Sequence, residues 1–203
     1  MGWLWETEVE TNDTNGSIKE IKHKVLKFSE LWSNYPEKSN IDHEQDALDD
    51  YCAIKLSETL LRVGIKMKSF KGTRCWGKCT RNRKHAIRAT ELSNWLKLRP
   101  FPGCPKPKEF TGKTFKDGIS GKTGIVYFSN YWIDTGGSRT GDHIDLWNKF
   151  ELAGSGTITS IARTVAADAV ESITGTMADL FGDSSLRISS LEKSDKVLFW
   201  EIK

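Results

Sequence analysis

The spacing of hydrophobic residues along the chain changes from a helical to a strand-like period after Pro107. Before that point, apolar residues recur three or four positions apart in segments 22–32, 52–63 and 85–96. This spacing gathers them on one side of a helix, and it predicts three amphipathic helices. Pro36, Gly64 and Pro100 follow the three segments and are expected to end them.

After Pro107, β-branched and aromatic residues dominate three short segments, 124–128, 143–147 and 197–202. Their composition and alternation predict three strands. Segment 158–181, between the second and third strands, is rich in small residues and has one apolar helical face, so it predicts a further helix. Helices followed by antiparallel strands indicate an α+β fold in which helices cover one face of a small sheet or half-barrel.

The length of 203 residues and a hydrophobic content of 37% suit one core. We therefore expect a single domain over residues 17–203. Residues 1–16 contain an uninterrupted polar run from Thr11 to Gly16, which predicts a flexible leader.

Charge and hydropathy argue against two classes of partner. The net charge is only +3, with 30 basic and 27 acidic residues that are spread along the chain, so we expect no nucleic-acid partner. The basic stretch 74–88 is interpreted as a solvated loop. No segment has the roughly 18 consecutive apolar residues of a membrane span, and the N-terminus lacks a secretory signal pattern, so we expect no membrane partner either.

The four cysteines fall in different surroundings. Cys52 follows the acidic segment 42–50 and begins an apolar helix, whereas Cys75, Cys79 and Cys104 lie in segments rich in Gly, Arg and Pro. We interpret these three as structural. A disulfide between Cys75 or Cys79 and Cys104 is favoured over a zinc site made of the same cysteines with His85, because the spacing of structural zinc ligands is absent. No metal and no cofactor are expected.

Cys52 is also a candidate nucleophile. A helix N-terminus stabilises a thiolate through its exposed N–H groups, and a thiolate that attacks an amide needs a nearby base. Of the four histidines, His143 stands at the start of a strand directly after Gly141 and Asp142, a rigid position beside a loop. The alternative, a buried structural cysteine and a structural histidine, remains open on spacing alone.

Several separated runs carry a resemblance to a known family: Phe28-Ser29-Glu30-Leu31-Trp32, Asp49-Asp50-Tyr51-Cys52-Ala53-Ile54-Lys55-Leu56-Ser57, segment 85–96, Gly124-Ile125-Val126-Tyr127-Phe128, Gly141-Asp142-His143-Ile144-Asp145-Leu146-Trp147-Asn148 and Phe199-Trp200-Glu201. The resemblance is to the fourth family of type VI secretion amidase effectors and covers about residues 25–203. It implies a papain-like cysteine amidase that hydrolyses the D-glutamyl-meso-diaminopimelate bond of peptidoglycan stem peptides. The family nucleophile falls on Cys52 and the family base on His143.

The family's third catalytic residue has no direct counterpart in this chain. An Asp usually follows the histidine strand, but segment 150–155 contains none. Asp145 shares a strand face with His143, so we expect it to orient the imidazole, with Glu151 and Ser155 as alternatives. Helix N–H groups are expected to stabilise the oxyanion. Tyr51, and Trp132, Arg139 and Asp142 in the loop 129–142, are predicted to bind substrate, with Arg139 facing a substrate carboxylate.

The resemblance also implies delivery and partners. Type VI effectors are injected without a signal peptide, so this protein is expected to use the type VI machinery and to act in the periplasm of a target bacterium as an antibacterial toxin. A cognate immunity protein is the implied inhibitor. Two alternatives remain: a papain-like hydrolase or acyltransferase that acts on another amide, and a non-catalytic wall-binding module that uses some of the eight tryptophans.

Overall fold

The computed structural model describes residues 6–10, 18–22, 25–37, 51–76, 84–133, 139–153 and 191–203. For 6–10, 18–22, 132–133 and 139–140 it describes the backbone alone. The helix predicted at 158–181 and the acidic segment 42–50 lie outside the described residues.

Four helices occur in the described part of the chain: α1 (Phe28–Ser33), α2 (Cys52–Arg62), α3 (Ala89–Lys97) and α4 (Phe115–Ile119). The start of α2 at Cys52 confirms the prediction. The first predicted helix was too long, because Lys22 is the last residue of a strand. The short α4 was not predicted, since five residues are too few to show a helical period.

Helix α3 begins four residues later than predicted. The segment before it is extended, because the Cys75 N–H donates to the carbonyl of His85 (2.9 Å) and the Ile87 N–H donates to that of Thr73 (3.3 Å). Arg74 and Ala86 form the antiparallel bridge between these two segments. Backbone pairing with a distant segment therefore keeps residues 85–88 extended, although their local pattern favours a helix.

The centre of the fold is a five-stranded antiparallel sheet in the order β3-β9-β4-β7-β8. The strands are β3 (Lys108–Phe110), β4 (Thr123–Ser129), β7 (His143–Asn148), β8 (Glu151–Leu152) and β9 (Lys196–Glu201). Strands β4, β7 and β9 confirm the three predicted strands. The edge strands β3 and β8 were missed because two or three residues cannot display alternation.

Two small hairpins complete the described strands. Strand β1 (Glu6–Glu10) pairs with β2 (Ile18–Lys22), and β5 (Trp132–Ile133) pairs with β6 (Arg139–Thr140). The predicted leader thus contains a strand. Its period-two pattern, in which Glu6, Glu8 and Glu10 alternate with Thr7 and Val9, is the local signal for it.

The sheet separates two apolar cores. The first core lies between α1, α2, α3 and the face of the sheet that carries Ile125, Tyr127, Ile144 and Leu146. The second core lies on the opposite face, where Val126, Phe128, Trp147, Val197 and Phe199 pack with Phe115 and Ile119 of α4. Both faces of β4 and β9 are therefore covered, as their nearly continuous apolar sequences require.

The thiols do not follow the predicted disulfide. Cys75 is disulfide-bonded, but Cys104 is a free, buried thiol, so the predicted bridge to Cys104 is wrong. Its Sγ contacts the backbone carbonyl of Leu96 at 3.6 Å, which explains how the thiol is accommodated inside the first core. The described residues contain no cluster of His, Cys, Asp or Glu arranged to bind a metal ion. None of the described helices is long and apolar enough to cross a bilayer.

A buried ionisable pair joins α2 to the ladder that precedes α3. Glu58 is 1% exposed and His85 is completely buried, with 2.8 Å between the Glu58 Oε2 and His85 Nε2 atoms. The second oxygen of Glu58 accepts from the Arg62 Nε–H at 2.7 Å. His85 therefore has a structural role in this protein and is not available as a catalytic base.

Replacing Glu58 with alanine is expected to lower the free energy of unfolding by about 3 to 5 kcal/mol, because it leaves His85 buried without this partner. Urea titration monitored by circular dichroism measures the change. The matched control is Lys108→Ala, which breaks the partly exposed 3.0 Å ion pair with Glu201 and should cost less than about 1 kcal/mol. Equal, small effects of the two substitutions would contradict the structural role of the buried pair.

Candidate active site

Cys52 occupies the first turn of α2. Tyr51 is the N-cap residue and its side chain makes no capping hydrogen bond. Backbone N–H groups at such an unblocked helix start stabilise a negative charge on sulfur or on a nearby oxyanion. Cys52 forms no disulfide and is 7% exposed, and its helix packs on β7. These properties suit a nucleophile at the edge of a core.

His143 is the first residue of β7, and Asp145 follows it on the same strand face. The Nε2 atom of His143 lies 3.4 Å from Oδ2 of Asp145, within ion-pair range, although the alignment does not satisfy a hydrogen bond. Asp145 is 1% exposed, and its other oxygen accepts from the Leu146 N–H at 2.8 Å. A carboxylate at this distance can stabilise an imidazolium, and the role of Asp145 as the orienting residue remains a prediction.

Two aromatic rings fix the other sides of the imidazole. The ring centroids of Phe128 and Tyr131 lie 6.4 Å and 5.8 Å from that of His143. Phe128 is also the direct cross-strand partner of His143 in the β4–β7 pairing. The side chain of His143 thus packs against members of the second core.

Cys52 packs on the other face of the same strand. It belongs to the first core together with Ile144 and Leu146, whose side chains alternate with those of His143 and Asp145. The structure therefore brings His143 and Asp145 together, and it places Cys52 on the opposite face of β7. In the described part of the chain, β8 pairs with β7 at Trp147 and Asn148, at the end of β7 far from His143.

The thiol and the imidazole nevertheless lie at the same end of the sheet. Tyr127 pairs with Ile144, the neighbour of His143, and the Cys52 charge is close enough to influence the Tyr127 hydroxyl. A histidine at the first position of a strand can turn its ring past the strand end. Catalytic contacts of this kind are often loose without substrate and tighten in the substrate complex.

The predicted substrate-binding residues surround this end of the sheet. Tyr51 precedes Cys52 at the helix start, and Trp132 and Arg139 lie on opposite strands of the β5–β6 hairpin. Asp142 immediately precedes His143. Its Oδ1 accepts from the Asn130 N–H at 3.2 Å, and its Oδ2 accepts a short hydrogen bond from the Thr90 hydroxyl. Substrate binding by these four residues remains a prediction.

The alternatives to Asp145 are placed differently. Glu151 is exposed on β8, where it accepts from the Asn148 side-chain amide at 3.3 Å. Ser155 lies outside the described residues. Among the described acidic side chains, Asp145 is the one in ion-pair range of His143.

Sequence reasoning missed Tyr127 and Thr90. The Tyr127 hydroxyl lies 3.4 Å from the Thr90 hydroxyl, and both are near Asp142. Burial, with the negative charges of Asp142 and Cys52, raises the pKa of Tyr127 to about 12, so its hydroxyl stays protonated at neutral pH. The only local signal was a tyrosine at an inward-facing position of an otherwise aliphatic and phenylalanine strand.

Alkylation should separate the two free cysteines. Burial raises the pKa of the Cys104 thiol to about 12, so it holds almost no thiolate at neutral pH, whereas Cys52 has the helix N-terminus beside it. We expect iodoacetamide to modify Cys52 at least about 100-fold faster than Cys104 at pH 7, as measured by peptide mass spectrometry. Preferential modification of Cys104 would contradict the assignment of Cys52 as the reactive thiol.

Comparison with known protein families gives a match over most of the chain. A family model described as "Type VI secretion system (T6SS), amidase effector protein 4" (Tae4) matches residues 48–200, a segment that includes Cys52, His143 and Asp145. A search of curated proteins finds no match.

Solved structures share the architecture at low sequence identity. The chain is similar to the type VI effector Tae4 from Enterobacter cloacae, with a TM-score of 0.56, 18% identity and coverage of 89% of this chain and 99% of that one. It is also similar to the Tae4-Tai4 effector-immunity complex from Salmonella Typhimurium, with a TM-score of 0.55, 13% identity and coverage of 89% and 100%. These similarities confirm the predicted papain-like α+β fold.

Proposed function

The chain belongs to the Tae4 family of type VI secretion amidase effectors, and from this premise we propose that it hydrolyses the D-glutamyl-meso-diaminopimelate amide of peptidoglycan stem peptides through Cys52 and His143. Membership of the family makes the protein an amide hydrolase. The cysteine mechanism and the specific bond are the proposal. The observation that carries it is the placement of Cys52 at the α2 N-terminus, at the same end of the sheet as the His143–Asp145 pair.

In the acylation step, the Cys52 thiolate attacks the amide carbonyl carbon and forms an S–C bond. The developing oxyanion receives hydrogen bonds from the N–H groups of the first turn of α2. The C–N bond then breaks, and the amine of diaminopimelate leaves with a proton from the His143 imidazolium. Water, deprotonated by His143, hydrolyses the thioester and regenerates Cys52.

Asp145 acts on the imidazole in both steps. Its buried carboxylate, 3.4 Å from the His143 Nε2 atom, stabilises the imidazolium that protonates the leaving amine and the imidazolium that forms when water is deprotonated. In this proposal Asp145 replaces the Asp that family members carry after the histidine strand. The ion-pair contact supports Asp145 over Glu151, whose carboxylate contacts Asn148.

The site of action and the partners follow from the family. We propose that the type VI machinery delivers the protein into the periplasm of a target bacterium, where stem peptides are accessible. Solved Tae4 proteins form effector-immunity complexes with Tai4. By the same relationship, we propose that a cognate immunity protein binds this chain and protects the producing cell.

Compartment-directed expression tests this function. The protein is produced in a diaminopimelate-type bacterium either with or without an added periplasmic signal sequence, and culture turbidity and sacculus composition are measured. We expect lysis and shortened stem peptides only with periplasmic wild-type protein, and neither with periplasmic Cys52→Ala. Lysis in the absence of altered stem peptides would contradict the proposal and favour a different amide substrate. Unaltered sacculi that retain bound protein would favour the non-catalytic wall-binding module.

A further inference from the structure

Three hydrogen-bonded polar side chains lie beside the candidate site and link three elements. Tyr127 lies on β4, Thr90 is the second residue of α3, and Asp142 lies directly before β7. Tyr127 is 5% exposed, while Thr90 is exposed. These three side chains therefore extend from a buried position near Cys52 to the surface next to His143.

Which of these side chains donates each hydrogen bond follows from which of their atoms carry a proton. A carboxylate only accepts, so the single hydroxyl proton of Thr90 goes to Asp142. The Thr90 oxygen is then left to accept in its 3.4 Å contact with the Tyr127 hydroxyl. The Tyr127 hydroxyl also hydrogen-bonds directly to Asp142, so the three side chains form one cluster around the Asp142 carboxylate.

Asp142 is further tied to the chain segment after β4. The Asn130 N–H donates to its second oxygen (3.2 Å), and the adjacent Tyr131 N–H donates to the Gly141 carbonyl (3.1 Å). Asn130 and Gly141 both have positive φ, 50° and 78°, so the two chain segments turn sharply where they meet. This corner places Tyr131 and His143 in ring contact.

We propose that Tyr127, together with Thr90, is a positioning residue that holds the Asp142–His143 corner in register with Cys52. This role rests on the proposed amidase function. Tyr127 acts through Asp142, both directly and by way of Thr90, and it takes no part in bond making or breaking. In this assignment, Asp142 fixes the corner.

The two hydroxyls are tested with the shape-preserving variants Tyr127→Phe and Thr90→Val and with the double variant. On a diaminopimelate-containing stem tetrapeptide, we expect each single variant to lower kcat on the order of 10-fold with KM nearly unchanged. Because both hydroxyls bind the same Asp142 carboxylate, the loss in the double variant should be smaller than the product of the two single losses. The matched control is Thr123→Val at the other end of β4, which removes the 2.6 Å bond to the Ile202 carbonyl and should leave kcat unchanged.

Amide hydrogen exchange at Asn130 and Tyr131, followed by NMR, provides a readout that needs no activity. Faster exchange at both amides in Tyr127→Phe and Thr90→Val, but not in Thr123→Val, supports the positioning role. Unchanged exchange together with wild-type kcat would overturn it. A loss of kcat in Tyr127→Phe without faster exchange at Asn130 and Tyr131 would also overturn it, because that hydroxyl would then act on the reacting atoms and not on the corner. If the wild type is inactive, the proposed function fails, and the exchange data still decide whether Tyr127 and Thr90 hold the corner.

Discussion

Cys52→Ala is expected to lower the rate of stem-peptide hydrolysis on the order of 10³- to 10⁶-fold, the range found when a catalytic nucleophile is removed. The sulfur atom that would form the thioester is absent, and alanine offers no substitute. The substitution removes one small, nearly buried atom, so the melting temperature should change by only a few degrees. Hydrolysis is measured by liquid chromatography of stem-peptide products and stability by differential scanning calorimetry.

Cys104→Ala is the matched control, because Cys104 is the other free and buried cysteine. It lies in the same core as Cys52, so both substitutions remove a similar packing contribution. Cys104→Ala should retain full activity. Equal activity of Cys52→Ala and Cys104→Ala would show that Cys52 is a core residue and not the nucleophile.

His143→Ala is expected to lower kcat by at least about 10²- to 10⁴-fold, because both proton transfers lose their acid and base. Asp145→Asn keeps the size of the side chain but removes its charge, so the imidazolium loses its 3.4 Å partner. We expect Asp145→Asn to lower kcat less than His143→Ala does, with little effect on KM. Steady-state kinetics on the stem tetrapeptide measure both changes.

The activity of His143→Ala tests whether the imidazole reaches the Cys52 thiol, because the two side chains pack on opposite faces of β7. The His143 ring lies against Phe128 and Tyr131, whereas Cys52 packs with Ile144 on the opposite face. If the ring reaches past the end of β7 to the thiol, His143→Ala removes nearly all activity. Wild-type kinetics in His143→Ala would mean that the imidazole serves only to pack with the second core.

Local patterns were sufficient for the elements that carry the candidate nucleophile and base. Ala53, Leu56 and Leu60 repeat at helical spacing up to Gly64, and the helix is found where this pattern predicts it. Strands β4 and β9 have the continuous apolar sequences of strands covered on both faces, and β7 shows the alternation of a strand. In each case, the hydrophobic residues whose pattern predicts the element are also the residues that pack in the core.

The errors arose where distant segments decide the structure. Residues 85–88 extend the helical pattern of α3, but backbone pairing with Thr73 and Cys75 holds them in an extended conformation. Cys104 lies in a proline-rich segment that favours a loop, yet its thiol packs inside the first core without a disulfide. Neither the pairing partner nor the depth of burial is encoded in neighbouring residues.

The same distinction applies to the candidate site. Alternation along β7 was enough to predict that Asp145 shares a face with His143, and the ion pair agrees with it. The relation of Tyr127 to Thr90 and Asp142 depends on how α3 packs across β4 and β7. Sequence spacing carries no information on that packing.

Cleavage of the D-glutamyl-diaminopimelate amide by Cys52 is tested most directly by mass spectrometry of diaminopimelate-type muropeptides incubated with wild-type protein and with Cys52→Ala. We expect the wild type alone to release fragments that end at D-glutamate and fragments that begin with diaminopimelate. Cleavage at a different amide by the wild type would contradict the assigned bond, and the same cleavage by Cys52→Ala would contradict the assigned nucleophile.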